Sequence, residues 1–200
     1  GETYEKRSSD QPDPYFSPSI SKSGRIFVHG EENIFAFDVH ENELWQADIP
    51  YSMYVSNFQI DEAENIYFAV GDKLYSYTGD GEERWVLEMK GNYFGGENGL
   101  ALSGNGYIVG MFETGMYAVG FDGEIVWWAS DLPYGYGAVV VDANGTIYYT
   151  ADTYIYAVTP DGELKWEFEI EEAGELSHPV LGPEGRMYLL DWKGALYIIG

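Results

Sequence analysis

Apolar and polar residues alternate along this chain in short runs, each closed by turn-forming residues. RIFVHG, NIYFAV, TIYYTA and RMYLLD are rich in β-branched and aromatic side chains, as are NIFAFD, KLYSYT, YIYAVT and ALYIIG. Such segments fit a pleated, half-buried surface and predict strands. No stretch keeps apolar residues at i, i+3, i+4 and i+7, the spacing that an amphipathic helix needs. Between the strands sit SKSG before Ile26, DEAEN before Ile66, SGNG before Ile108, DANG before Ile147 and GPEG before Met187. Gly, or Asn65 in the second copy, falls just ahead of the strand, where a tight turn calls for positive φ. A second turn class, TGDGE, GFDGE and TPDGE, precedes strands that carry tryptophan.

These elements recur with one period. Trp45, Trp85, Trp127 and Trp166 lie 40, 42 and 39 residues apart, and Ile26, Ile66, Ile108, Ile147 and Met187 lie 40, 42, 39 and 40 apart. Tyr75, Tyr117, Tyr156 and Tyr197 follow the same beat, with Phe35 opening the series. Three columns in one phase, sharing the same two-residue insertion, define a unit of about 40 residues used five times. Each unit reads as four short antiparallel strands, A to D, in a meander. Such units predict a β-propeller, in which each sheet buries its faces against its neighbours.

The expected fold is therefore all-β. One domain, 1–200, forms a five-bladed β-propeller of four-stranded antiparallel blades at 17–50, 56–90, 98–131, 137–171 and 177–200. The last unit runs through A (HPVL), B (RMYLLD) and C (ALYIIG) without a D segment. GETYEKRSS opens with the Gly-Glu that begins GEERW, GEIVW and GELKW, so residues 1–9 are expected to supply the missing outer strand. Tyr4 or Glu5 then stands in the tryptophan column. Closing the ring this way removes an exposed sheet edge.

Composition narrows the function. Asp and Glu number 34 against 10 Lys and Arg, a net charge of -24, which repels phosphate backbones and anionic lipid. No nucleic-acid partner is expected, and the apolar runs are too short for membrane insertion. The absence of Cys rules out disulfides, Cys-ligated zinc and thiol chemistry. A hydrophobic share of 45% with 17% aromatics argues for a packed domain despite the charge. GETYEKRSSD has no apolar signal core, so the export signal of the expected extracytoplasmic (periplasmic or secreted) setting is absent from this chain.

AFDVHENELW (36–45), SYTGDGEERW (76–85), AVGFDGEIVW (118–127) and AVTPDGELKW (157–166) resemble the tryptophan-docking motif of PQQ-like propeller repeats. That motif is roughly Ala-x-Asp-x-x-x-Gly-x-x-x-Trp, and here the Asp-Gly pair is often shifted. The resemblance spans nearly the whole chain. It implies that each indole packs on the neighbouring blade's turn, a role that one large rigid aromatic per repeat also suits. Quinoprotein chemistry does not carry over. Those dehydrogenases are larger rings that grip a quinone and Ca²⁺, and their vicinal Cys pair has no counterpart here. No cofactor is expected. The family also contains non-enzymatic members, including lipoprotein scaffolds of outer-membrane protein assembly.

In a propeller, ligands meet the innermost strands and the loops joining D to the next A. The inner segments SPSI (17–20), SNFQI (56–60), GLAL (99–102), GAVVV (137–141) and HPVL (178–181) contain no Asp or Glu. Glycosidic cleavage needs two carboxylates close together, and Glu97 and Glu175 in adjoining loops are the near candidates. His178 is the histidine placed where a site is expected. Ser177 beside it points to the opposite strand face, so the two cannot pair as nucleophile and base. A channel-lining role fits His178. DANG (142–145), GDGEE (79–83) and FDGE (121–124) have the flavour of calcium loops but lack the terminal Glu of the full ligand pattern. They read as β-turns, and no metal is expected.

The D-to-A loops PDPYF (12–16), PYSMYV (50–55), GNYFGGEN (91–98) and LPYGYG (132–137) carry paired aromatics, while EEAGELSH (171–178) is acidic. Sharing one face, Tyr15, Tyr51, Tyr54, Tyr93, Phe94, Tyr134 and Tyr136, with His178, form a candidate ligand-binding surface. The same side chains would otherwise plug the end of the propeller. The expected function is that of a monomeric, non-catalytic scaffold binding a protein or peptide partner, a basic one matching the charge. A carbohydrate-binding lectin is the alternative, and a glycoside hydrolase using Glu97 or Glu175 is the third reading.

Overall fold

A computed structural model describes residues 17–52, 55–89, 99–135 and 138–200, which form five antiparallel sheets. Sheet 1 comprises β1 (Ser19–Ile20), β2 (Ile26–His29), β3 (Asn33–Phe37) and β4 (Glu43–Asp48) in that order. Sheet 2 comprises β5 (Gln59–Ile60), β6 (Ile66–Val70), β7 (Lys73–Tyr77) and β8 (Glu83–Glu88). Sheet 3 runs through β9 (Leu100–Ser103), β10 (Tyr107–Phe112), β11 (Gly115–Gly120) and β12 (Ile125–Ala129). Sheet 4 repeats the order with β13 (Val140–Val141), β14 (Ile147–Ala151), β15 (Tyr154–Val158) and β16 (Leu164–Glu169). Sheet 5 holds three strands among the described residues, β17 (Val180–Leu181), β18 (Met187–Leu190) and β19 (Leu196–Ile199). Residues 1–9, expected to complete it, lie outside the described residues.

The inner strands are shorter than their sequence patterns suggest. Four of the five span two residues, and in two of them a side chain takes over part of the ladder. In sheet 2 the Ala69 amide donates to Ser56 Oγ at 2.9 Å, and in sheet 5 the Leu190 amide donates to Ser177 Oγ at 3.0 Å. A hydroxyl thus stands where a strand carbonyl would, and regular pairing starts only further along.

The alternation of apolar residues sends successive side chains to opposite seams. On β6, Ile66, Phe68 and Val70 pack with Phe27, Ile34 and Ala36 of sheet 1. Tyr67 and Ala69, between them in sequence, pack with Leu100, Ile108 and Phe112 of sheet 3. The seam between sheets 3 and 4 is built alike from Val109, Met111, Ile147 and Tyr149, and that between sheets 4 and 5 from Ile155, Met187 and Leu189. The core is distributed over these seams rather than gathered at one centre, as repeat architectures require.

Tryptophan ties each seam to the next sheet. A bulge on β4, β8, β12 and β16, at Leu44, Arg84, Val126 and Lys165, shifts the register, and beside it a small residue faces each indole: Ala36 opposite Trp45, Ser76 opposite Trp85, Ala118 opposite Trp127 and Ala157 opposite Trp166. Trp45 Nε1 donates to the Gly79 carbonyl at 2.9 Å, Trp85 Nε1 to the Phe121 carbonyl at 3.0 Å, and Trp127 Nε1 to the Pro160 carbonyl at 2.8 Å. Each acceptor belongs to the turn of the following sheet. Two residues on, Gly81, Gly123 and Gly162 have φ of +88°, +91° and +87°. A Cβ there would stand 2.6 to 2.9 Å from the indole of Trp45, Trp85 or Trp127. Glycine is needed twice over, for the left-handed backbone and for the ring's approach. Arg84 reinforces one joint, donating to the same Phe121 carbonyl at 3.0 Å and to Tyr67 Oη at 2.9 Å.

Candidate functional site

The connectors from each outermost strand to the next innermost strand are nearly equal, at ten residues (49–58), eleven (89–99), ten (130–139) and ten (170–179). Tyr51, Tyr134 and His178 lie on three of them. Tyr51 is 64% exposed, and His178, just before β17, is also exposed. Tyr134 is half-buried and packs against the core between sheets 3 and 4. Its aromatic body therefore serves the seam, while Tyr51 is free to meet a ligand. Tyr15, Tyr54, Tyr93, Phe94, Tyr136 and Glu97 lie outside the described residues.

Polar groups that could support chemistry are committed to the backbone. Ser177 Oγ donates to the His178 carbonyl at 3.2 Å while accepting the Leu190 amide. Ser56, at the same place three repeats earlier, does likewise, donating to the Asn57 carbonyl at 3.0 Å and accepting the Ala69 amide. Ser177 is thus a strand-pairing residue, not a nucleophile awaiting a base.

The turn carboxylates have a comparable duty. Asp142 Oδ1 accepts the amides of Asn144 and Thr146 at 2.8 and 2.9 Å, and its Oδ2 accepts Tyr148 Oη at 3.1 Å. Asp61 takes the Asn65 amide and the Tyr67 hydroxyl, and Asp191 takes the Ala195 amide and the Tyr197 hydroxyl. The amides of Gly174 and Ala195 hold the Asp191 carboxyl below the usual carboxylate range. These are turns in which a carboxylate replaces backbone acceptors. The recurring Asp with Tyr six residues later is a signal that turn composition alone does not reveal. Among the described residues, no group of three or more His, Asp or Glu side chains is placed to hold a metal ion.

His29 is a different case. It is 2% exposed, with its ring stacked on Phe58 at 4.0 Å and set edgewise to Phe68 at 5.4 Å. Burial pushes its pKa down to about 3, a hydrogen bond with the Ser56 backbone opposing the shift only in part. The unfolded chain takes up this proton near pH 6.5 and the folded chain only near 3. Its stabilisation is therefore whole above pH 6.5 and is lost progressively as pH falls toward 3. His29→Phe keeps the ring stack and removes the titration. Urea midpoints should show the loss of stability between pH 7 and pH 5 reduced by about 2 kcal/mol in the variant. An unchanged loss would mean that His29 charges freely in the folded state.

A groove of about 620 Å³ opens between sheets 4 and 5, lined by Asp142, Tyr148, Trp166, Leu181, Met187 and Ile199 among others. Trp166 belongs to the same column as Trp45, Trp85 and Trp127, yet among the described residues no carbonyl accepts its Nε1. It is 37% exposed and Phe168 is 51% exposed. Beside the groove, Leu196 and Ile198 on the edge strand β19 are 59% and 57% exposed. This is the place where the other seams receive a turn and an outer strand.

No protein-family model matches the chain, and no curated protein matches it by sequence. Solved structures do. A catalytically inactive virginiamycin B lyase from Staphylococcus aureus with quinupristin superposes with a TM-score of 0.73 at 14% identity, over 92% of this chain and 69% of that one. BamB from Moraxella catarrhalis gives 0.70 at 16% identity, over 97% of this chain and 66% of its own. The C-terminal WD40 domain of Sif2 gives 0.70 at 11% identity, over 88% and 54%. At these identities the likeness is one of fold: the chain is a β-propeller.

Proposed function

We propose that the chain is a five-bladed PQQ-like propeller, closed by its own N-terminal segment, that acts as a monomeric, non-catalytic scaffold for a protein or peptide partner. The docking of Trp45, Trp85 and Trp127 on the following turn supports the repeat family. Connector length supports closure. Counting ten residues back from Ser19 puts a six-residue outer strand at 3–8, directly after Gly1 and Glu2. Two apolar faces would then meet, one with Leu190, Leu196 and Ile198 on sheet 5 and one with Phe35 and Phe37 on sheet 1.

The observation that carries the non-catalytic reading is the commitment of Ser177, Asp61, Asp142 and Asp191 to backbone amides and of His29 to an aromatic stack. The shared fold of a WD40 domain and of BamB supports an interaction role, and the likeness to BamB supports an extracytoplasmic setting. The net charge of -24 favours a basic partner. Among the described residues no helix is long and apolar enough to cross a membrane.

Panning a random peptide library against the protein tests this reading. Enriched peptides should be basic, and their affinity should fall about tenfold or more in Tyr51→Ala. Saturable sugar binding on a glycan array, lost in Tyr136→Ala, would replace the scaffold with the lectin.

A further inference from the structure

Among the described residues the outermost strand of each four-stranded sheet ends that sheet, and in three of these four sheets charge guards the edge. The residues flanking tryptophan are Glu43, Leu44, Gln46 and Asp48 on β4, then Glu83, Arg84, Val86 and Glu88 on β8, where Arg84 reaches across to the Phe121 carbonyl. On β16 they are Leu164, Lys165, Glu167 and Glu169. Charged edges resist the addition of foreign strands. The matching residues are Ile125, Val126 and Trp128 on β12 and Ser130 just after it, with no charge among them. Ile125, Val126 and Trp128 are 49%, 56% and 53% exposed. Among the described residues β12 is the end of its sheet.

Two further features define what this edge would accept. Trp128 is held in place: its ring stacks on Tyr117 at 5.7 Å and 13°, and Nε1 donates to the Thr114 carbonyl at 3.3 Å. The other face of the indole is left for a ligand. Carboxylates bracket the strand at both ends, Asp122 and Glu124 before it and Asp131 after it, with Glu113 beside Thr114, and all four are exposed.

We propose that the outer edge of β12 is a strand-addition site for an extended peptide with an apolar middle and Lys or Arg at both ends. Main-chain hydrogen bonds to the edge supply affinity, while Val126 and Trp128 receive alternate side chains. The bracketing carboxylates select basic ends, and a cation over the free indole face adds to that selection. The site is separate from the connector surface that carries Tyr51 and does not depend on ring closure.

Titration calorimetry with an acetylated, amidated peptide of alternating Val and Thr, capped by Lys at each end, tests the proposal on the full chain. Saturable binding is expected, weaker by about tenfold or more for the Glu-capped peptide and for Val126→Lys. Val126 is exposed, so the melting temperature of that variant should match the parent. A peptide N-methylated on alternate residues, unable to complete the ladder, should not bind. Equal binding of the N-methylated peptide, or equal binding to Val126→Lys, would overturn strand addition at this edge. So would self-association of the parent protein that Val126→Lys abolishes, since a second copy would then be the occupant.

Discussion

Trp85→Ala is expected to destabilise the protein by about 3–5 kcal/mol, near the upper range for loss of a packed aromatic. The indole fills the seam between sheets 2 and 3 with Tyr67, Leu87 and Phe121 around it. Its removal leaves a cavity and also deprives the Phe121 carbonyl of one donor, although Arg84 still reaches that oxygen. Gly123→Ala attacks the same joint from the other side. The added methyl would stand 2.9 Å from the ring at φ +91°, and about 1–3 kcal/mol is the expected cost. Trp128→Ala is the control, because Trp128 is largely exposed and should cost about 1 kcal/mol or less. Equilibrium urea unfolding of the three variants checks the order. Equal effects of Trp85→Ala and Trp128→Ala would deny the docking role.

Removing residues 1–9 should lower stability by about 3 kcal/mol if they complete sheet 5, since Trp166, Phe168, Leu196 and Ile198 would lose their cover. The stronger test is coupling. In the full chain Trp166→Ala should cost about 2–3 kcal/mol, in the manner of the other docked tryptophans. In the shortened chain the indole has nothing to dock on, and the same substitution should cost less than about 1 kcal/mol. The difference, about 2 kcal/mol, is the interaction between the N-terminal segment and the groove, read from a double-mutant cycle. Additivity would remove closure by this segment while leaving the propeller fold untouched.

The repeat was legible in the sequence because each seam depends on one bulky residue in a fixed place. A column of Trp or Ile at constant spacing is the trace of an interface used again and again. The inner strands were less legible. SNFQI and HPVL read as strands by composition, but Ser56 and Ser177 divert the ladder through their hydroxyls, and regular pairing narrows to Gln59–Ile60 and Val180–Leu181. The tryptophan column is plain in the sequence, whereas the small residues opposite the indoles are visible only once the register is known. The candidate surface was the hardest part. Tyr51 and Tyr134 look alike in their loops, and only depth separates a tyrosine that meets solvent from one that packs on the core between sheets 3 and 4. Nothing in composition marked β12 either, whose lack of charge becomes informative only beside β4, β8 and β16.

The three indole-to-turn joints among the described residues run the same way: sheets 1, 2 and 3 give a ring forward, and sheets 2, 3 and 4 offer a glycine turn backward. A polymer of such links has a polarity, as a row of hooks and eyes does. Its joint is standardised while the modules between joints are free to vary in size. Ile and Trp lie 19 residues apart in each of the first four modules, so the two extra residues between Trp85 and Trp127 fall ahead of Ile108, in the link between modules, and leave the hook at Trp127 and the eye at Gly123 unaltered. Gene duplication could lengthen or shorten such a row one module at a time, because a newcomer arrives with both halves of the coupling in place.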